Sequence, residues 1–167
     1  MTEPRWLDGY SGQTTDELIA LDGAYRTDSI VLAFEQAIDR KAERLGHEQL
    51  SPAERVVLDV EALERQVNSD GYISLFTYYS QHVPGLVSAL TAIGADGVAE
   101  LTRSAIAALG IDGPLTPEAV ESAANDEDDD RDERLEAFDD TYYETAGDLA
   151  VPLLAYIAAH RDEIVLP

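Results

Sequence analysis

The chain has 167 residues, of which 34 are acidic and 11 are lysine or arginine, a formal net charge of -23. An apolar fraction of 45% excludes wholesale disorder, and the lack of cysteine excludes a disulfide framework or a thiolate metal site. A field of this sign repels nucleic acid and anionic membrane and attracts a basic protein, a polyamine or a cation.

The opening residues Met1 to Trp6 lack a basic start followed by an apolar run, and no stretch approaches the roughly 18 apolar residues of a membrane span. A cytoplasmic protein, neither exported nor inserted, is the expectation. Lysine occurs once, at Lys41, against ten arginines. That bias fits a salt-adapted or GC-rich source, which is a competing explanation for the acidity.

In chain order, residues 1–14 read as an N-terminal extension and residues 15–167 as one compact helical domain. Ile30, Phe34, Ile38, Ala42 and Leu45 recur at three- or four-residue intervals, predicting a helix over Asp28–Leu45, capped by Thr27 or Asp28 and stopped by Gly46. Ser51, Pro52 and Glu54 form the clearest helix start, a capping serine, a first-turn proline and a reciprocating glutamate. Its inward stripe is predicted to be Val56, Val60, Leu63 and Val67, ending in a turn at Asn68–Gly71. A short aromatic helix follows over about Tyr72–Ser80, with Ile73, Phe76 and Tyr79 inward. Two small-residue helices are expected over Leu86–Ile93 and Asp96–Leu109, separated by Gly94 and closed by Gly110. Thr116 and Pro117 start another, and a last helix spans Asp148–His160 with Val151, Leu154, Tyr156 and Ile157 on its apolar side. No segment reads as a strand, so the fold class is all-α with about seven to nine helices.

The charge is concentrated late in the chain. Between Glu118 and Asp148 fourteen carboxylates face two bases, Arg131 and Arg134. If Asp128–Asp140 is helical, Asp128, Asp132, Glu136 and Asp140 form one row at four-residue spacing, with Asp129 and Glu133 beginning a second. Eight acids less two arginines over about 20 Å give one net charge per roughly 3.3 Å, close to the 3.4 Å of a single DNA strand. Like charges at this spacing oppose the helix, so Asn125–Asp132 reads equally well as a solvated connection. A calcium loop is disfavoured, because counting from Asp126 or Asp128 puts Arg131 or Glu133 where glycine is required.

Other chemistry is thin. His47, His82 and His160 lack a two-histidine zinc spacing, and Gly94 to Gly97 lacks the lysine and hydroxyl of a phosphate loop. No catalytic residue, metal ligand or cofactor is expected. Tyr78–Tyr79 and Tyr142–Tyr143 each predict one ring inward and one free for a subunit contact.

The run Glu64, Arg65, Gln66, Val67, Asn68, Ser69, Asp70, Gly71 and Tyr72, followed by Phe76, resembles the glutamine, valine, asparagine, glycine and aromatic signature of the DNA-mimic-protein C-terminal-like domain family. Ala89–Ala95 and Gly147–Leu149 leading to Leu153–Ile157 match in order, so the resemblance spans about Leu18–His160. Tyr72 stands where phenylalanine is usual, and Ser69 and Asp70 replace a glycine-richer turn. Gln66, Asn68, Gly71, Tyr72 and Phe76 are expected to be structural, with Asn68 capping the turn. The resemblance implies a dimeric, all-helical, non-enzymatic protein that imitates DNA and occupies a transcription factor.

The expected function is therefore occupation of the basic surface of a DNA-binding protein, with Asp126, Asp128, Asp129, Asp130, Asp132, Glu133, Glu136 and Asp140 as contacts. Nucleic acid and membrane are not expected as partners. A homodimer is expected, its contact sought around Tyr72–Tyr79 and on the final helix. The alternatives are an immunity-type inhibitor of a basic nuclease toxin and a salt-adapted scaffold without mimicry.

Overall fold

The computed structural model describes residues 2–167, and among them every regular element is helical. Eight α-helices run in order: α1 (Thr15–Ile19), α2 (Thr27–Leu45), α3 (Pro52–Tyr78), α4 (Val83–Ala92), α5 (Asp96–Ala108), α6 (Pro117–Asn125), α7 (Asp129–Thr145) and α8 (Ala150–Ala159). The all-α expectation holds. No described helix is long and apolar enough to cross a membrane.

Local signals set most helix ends. The Ser51 hydroxyl accepts the Glu54 N–H at 3.1 Å, and the Glu54 carboxylate accepts the Ser51 N–H at 3.0 Å, the reciprocal cap expected there. Thr116 caps α6 through the Ala119 N–H at 3.2 Å. Gly46, Gly94 and Gly110 carry the positive φ that ends a helix. Several expectations need correction, among them the start of α4, which lies at Val83 rather than Leu86 with Pro84 in its first turn. α2 starts at Thr27 after Arg26, which provides no side-chain cap, because Thr27 is already helical and its hydroxyl bonds Asp22. α1, with its own capping box between Thr14 and Glu17, was not foreseen, since five residues show no periodicity. α8 begins at Ala150 rather than Asp148, and Val151 is 57% exposed, so its apolar side is Leu153, Leu154 and Ile157.

The largest departure lies in α3. Instead of a turn at Asn68–Gly71, helix continues on both sides of a break at Gly71, where φ is 82° and ψ 179°. That backbone region is essentially reserved for glycine. Past the break the inward residues are Tyr72, Leu75 and Phe76, whereas Ile73 and Tyr79 are half-buried. Before it Val57, Val60, Leu63 and Val67 are buried and Val56 is half-buried. The breaks in periodicity that shift these faces by a residue are not visible in spacing alone.

The chain divides into two compact units. The first comprises residues 2–58 and 150–167 of the described chain. In it α2 packs against α8 and α1, around Leu18, Ile30, Phe34, Ile38, Val57, Leu153 and Ile157, all fully buried. Its final segment is tied down by polar bonds: Glu54, with no exposure, accepts the Val165 N–H at 3.0 Å, Lys41 donates to the Val165 carbonyl at 3.0 Å, and Thr15 donates to the Ile164 carbonyl at 2.6 Å. Lys41 and Glu54 also pair at 2.7 Å, so each charge is compensated where it is withdrawn from water.

The second unit is residues 59–149, with the remainder of α3 and α4 to α7. α5 packs on α4 and on α7. Leu63, Val67, Tyr72, Leu75, Phe76, Leu86, Leu90, Val120, Leu135 and Tyr142 are its interior. The two units differ in charge: the second holds 21 acids and four bases, a net -17, and the first 13 acids and seven bases, a net -6.

Candidate acidic interface

α7 forms despite its charge, and three local devices make that possible. Asp128 takes the capping position, its carboxylate accepting the Arg131 N–H at 3.0 Å. Asp129, Asp130 and Asp132 then occupy the first turn, where the partial positive charge of the helix end favours carboxylates. Leu135 and Tyr142 supply the buried side. Of the 126–132 stretch, only the first three residues lie outside the helix.

Arg131 is the residue whose role the sequence hid. It is 3% exposed, with its guanidinium donating to the carbonyls of Ala123, of Ala124 at 3.4 Å and of Asp126 at 2.8 Å, and to the Asp132 carboxylate at 2.9 Å. These carbonyls are the unpaired acceptors at the end of α6, so the cation closes that helix and fixes the start of α7 against it. Asp132 remains on the surface but is pinned in an ion pair.

With 100° per residue, Asp129, Glu133, Glu136, Asp140 and Glu144 fall in one stripe within about 80° of the helix circumference. All five are exposed. On the opposite side lie Arg131, Leu135 and Tyr142, buried, and Phe138, half-buried. The stripe is about 22 Å long. It differs from the rows expected from spacing: Asp128 is spent on the cap, Asp132 on Arg131, and Glu144 completes the stripe although it was not singled out. Asp126, Glu127 and Asp130 are exposed beside it. Asp139 points inward, and the Arg131–Asp132 pair cancels, so Asp128–Asp140 presents six outward acids against exposed Arg134. That is about one net charge per 4 Å, sparser than the count from sequence.

The inner side of α7 is fastened to the break in α3. The Tyr72 N–H, which opens the second arm of α3, donates to Asp139 Oδ1 at 2.8 Å. A Cβ at Gly71 would collide with that same carboxylate. The Tyr143 hydroxyl donates to the Val67 carbonyl at 2.8 Å, and the Tyr142 hydroxyl donates to the Glu64 carboxylate. The Tyr142 ring meets Tyr72 edge-on with centroids 6.1 Å apart.

These contacts assign a task to each residue of the signature. Gln66 bridges the break by accepting from Ser74 at 3.3 Å. The Asn68 side chain donates back to the Glu64 carbonyl four residues earlier at 2.7 Å within α3, instead of capping a turn as expected, because the helix runs on through residue 70. Gly71 leaves room for Asp139, while Phe76 lies against the Tyr72 ring at 5.8 Å and the Tyr72 hydroxyl bonds Thr102 at 2.9 Å inside the unit.

Two carboxyls at this seat titrate above the ordinary range. Burial raises Asp139, partly offset by the Tyr72 N–H and reinforced by Asp140 and Glu136. Burial also raises Glu64, offset by Tyr142 and reinforced by Asp148. Burial is the main cause pushing the Tyr142 hydroxyl upward, with Glu64 adding to it.

The tyrosine pairs divide as expected for α7, with Tyr142 1% and Tyr143 52% exposed. Tyr78 is open to solvent and Tyr79 half-buried. Of the histidines, His47 is exposed, His82 pairs with Asp59 at 2.9 Å, and His160 stacks on Tyr156 with centroids 4.0 Å apart.

An all-helical unit with a fixed acidic stripe, built on a broken helix that carries this signature, defines a class of acidic helical proteins. The chain belongs to the DMP19-like protein family, whose model matches residues 48–160. The match encloses the whole of the second unit. Among curated proteins and among solved structures nothing matches the chain.

Proposed function

We propose that the chain is a non-enzymatic cytoplasmic protein whose acidic stripe occupies the basic, nucleic-acid-binding surface of a DNA-binding protein. The observation that carries the reading is the stripe Asp129, Glu133, Glu136, Asp140 and Glu144, exposed on a helix whose other side is fastened. Family membership supports it, since the family takes its name from DNA mimicry. A rigid row of carboxylates imitates a phosphate backbone better than a flexible acidic tail, because no ordering entropy is lost when the partner docks. Steering by a unit of net -17 brings a basic partner in rapidly and does so less well as salt rises. Two copies acting together extend the charged length toward the roughly 34 Å separating the reading heads of dimeric DNA-binding proteins.

The test is capture from a lysate of the source cells at low salt, with identification of what elutes as salt rises. The reading requires DNA-binding proteins that are also displaced by added duplex DNA. Capture of a nuclease whose active site is covered would replace it with the inhibitor reading, and an empty eluate would remove it.

A further inference from the structure

Two carboxyls join α7 to the break in α3, one for each arm. Glu64, on the first arm, accepts from the Tyr142 hydroxyl, and Asp139, on α7, accepts at 2.8 Å the Tyr72 N–H that opens the second arm. Gly71 permits the second contact, because a Cβ there would collide with the Asp139 carboxylate. Both carboxyls are half-buried and face charges of their own sign. Around Asp139 these are Asp140 and Glu136 on α7; around Glu64 it is Asp148, with the Asn68 amide beside it. Glu61, on the same arm as Glu64, faces the Tyr142 hydroxyl, and Asp70 faces that of Tyr143. Arg65 and Arg134 are the cations nearest in sequence, and both are exposed. On α5, which packs on α7, the charged residues Asp96, Glu100 and Arg103 are exposed, with Arg103 paired to Glu100.

Protonation suits this seat. A protonated carboxyl keeps an oxygen to accept its hydrogen bond, so the contacts to Tyr142 and Tyr72 survive while the half-buried charge and its repulsion are removed. We propose that the seat is a proton-sensitive latch: protons on Glu64 and Asp139 hold α7 on the break in α3, and their loss as pH rises lets α7 detach locally while the rest of the chain stays folded. Burial holds both carboxyls above the ordinary range while α7 is seated, and on detachment they return to water and to that range. The seated state therefore binds the protons more tightly. Between the ordinary range and the seated one, the detached fraction grows by about tenfold per pH unit for each carboxyl. Below that window both states are protonated and above it both are ionised, so the fraction levels off on either side. The latch acts whatever partner the stripe takes.

Amide exchange on the full chain tests the latch, measured from about pH 5 to about pH 8, corrected for the intrinsic rise of exchange with pH, and repeated at low urea concentrations. Protection at Tyr72 and along α7 is expected to fall by about tenfold or more across that range. Its dependence on urea should be weaker than that of the slowest amides of the chain, because local detachment exposes less surface than unfolding. Glu64→Gln and Asp139→Asn keep the acceptor oxygen and remove the titration, so each is expected to make the fall shallower and the two together to abolish it. Protection that does not change with pH in the unaltered chain, a fall that survives in the double variant, or a urea dependence equal to that of the slowest amides overturns the latch. Should the double variant not fold, the carboxyl carbons of Glu64 and Asp139 are titrated by NMR in the unaltered chain. Transitions above the ordinary carboxylate range uphold the latch, and transitions within it overturn it.

Discussion

Gly71 and Asp139 form one structural unit written at two distant places in the chain. Alanine at 71 would face a φ of 82° with ψ at 179° and collide with the carboxylate that closes the second arm of α3. Gly71→Ala is expected to lower stability by about 2 kcal/mol or more, read as a lower midpoint in urea unfolding. The raised carboxyls Asp139 and Glu64 have a second consequence. A folded pKa above the unfolded one means that the folded state binds the proton more readily, so each group costs stability when ionised and releases that cost as pH falls through its folded value. Melting temperature is therefore expected to rise from neutral pH toward about pH 5, until the ordinary carboxylate range is reached. Replacing both with their amides, Glu64→Gln and Asp139→Asn, should flatten that rise; a slope unchanged in the double variant would show that these two groups do not titrate apart from the rest. That one ring of the Tyr142–Tyr143 pair packs inward was legible from residue type, whereas Asn68, read as the cap of a turn, bonds back to Glu64 inside its own helix. The burial of Arg131 was not, because nothing within a few residues of it says that the carbonyls ending α6 need a donor.

At the scale of the element, α7 shows how a helix of low intrinsic favour is made to form. Asp128, the first-turn acids and the buried side of Leu135 and Tyr142 offset repulsion along the stripe. Neutralising the stripe with Asp129→Asn, Glu133→Gln, Glu136→Gln, Asp140→Asn and Glu144→Gln removes that repulsion. The melting temperature is expected to hold or rise, while affinity for a basic partner falls at least tenfold and its dependence on salt flattens. Neutralising Asp126 and Glu127, which lie before the helix, serves as the comparison and is expected to cost much less. An equal loss from both sets, measured by titration across a salt series, would shift the interface off the stripe. The caps of α3 and α6 and the glycine stops were legible because each signal and its effect lie within one helical turn. The break at Gly71 reads as a turn in the sequence, since glycine with asparagine and aspartate looks the same in either case.

At the scale of the whole molecule, charge and family coincide: the match at residues 48–160 contains the unit of net -17. A homodimer remains the proposal, to be checked by light scattering at tens of micromolar. Like charge on both copies makes association stronger as salt rises, the opposite of the trend for a basic partner. The contact must be apolar, and of the segments first considered for it, Tyr72, Phe76, Leu153 and Ile157 are wholly buried, which leaves Tyr78 and Val151 as the large exposed side chains. Tyr78→Arg or Val151→Arg is expected to shift a dimer toward monomer, and a monomeric mass for the unaltered chain would end the proposal. By itself the sequence determined the helical class, most helix ends, the signature and the concentration of charge between Glu118 and Asp148, since these depend on residues close together in the chain. Only the tertiary structure decided which acids face outward. Asp139 turns in to the Tyr72 amide 67 residues away and Arg131 turns in to the end of α6, because the solvation of a charge is set by whatever the fold brings beside it.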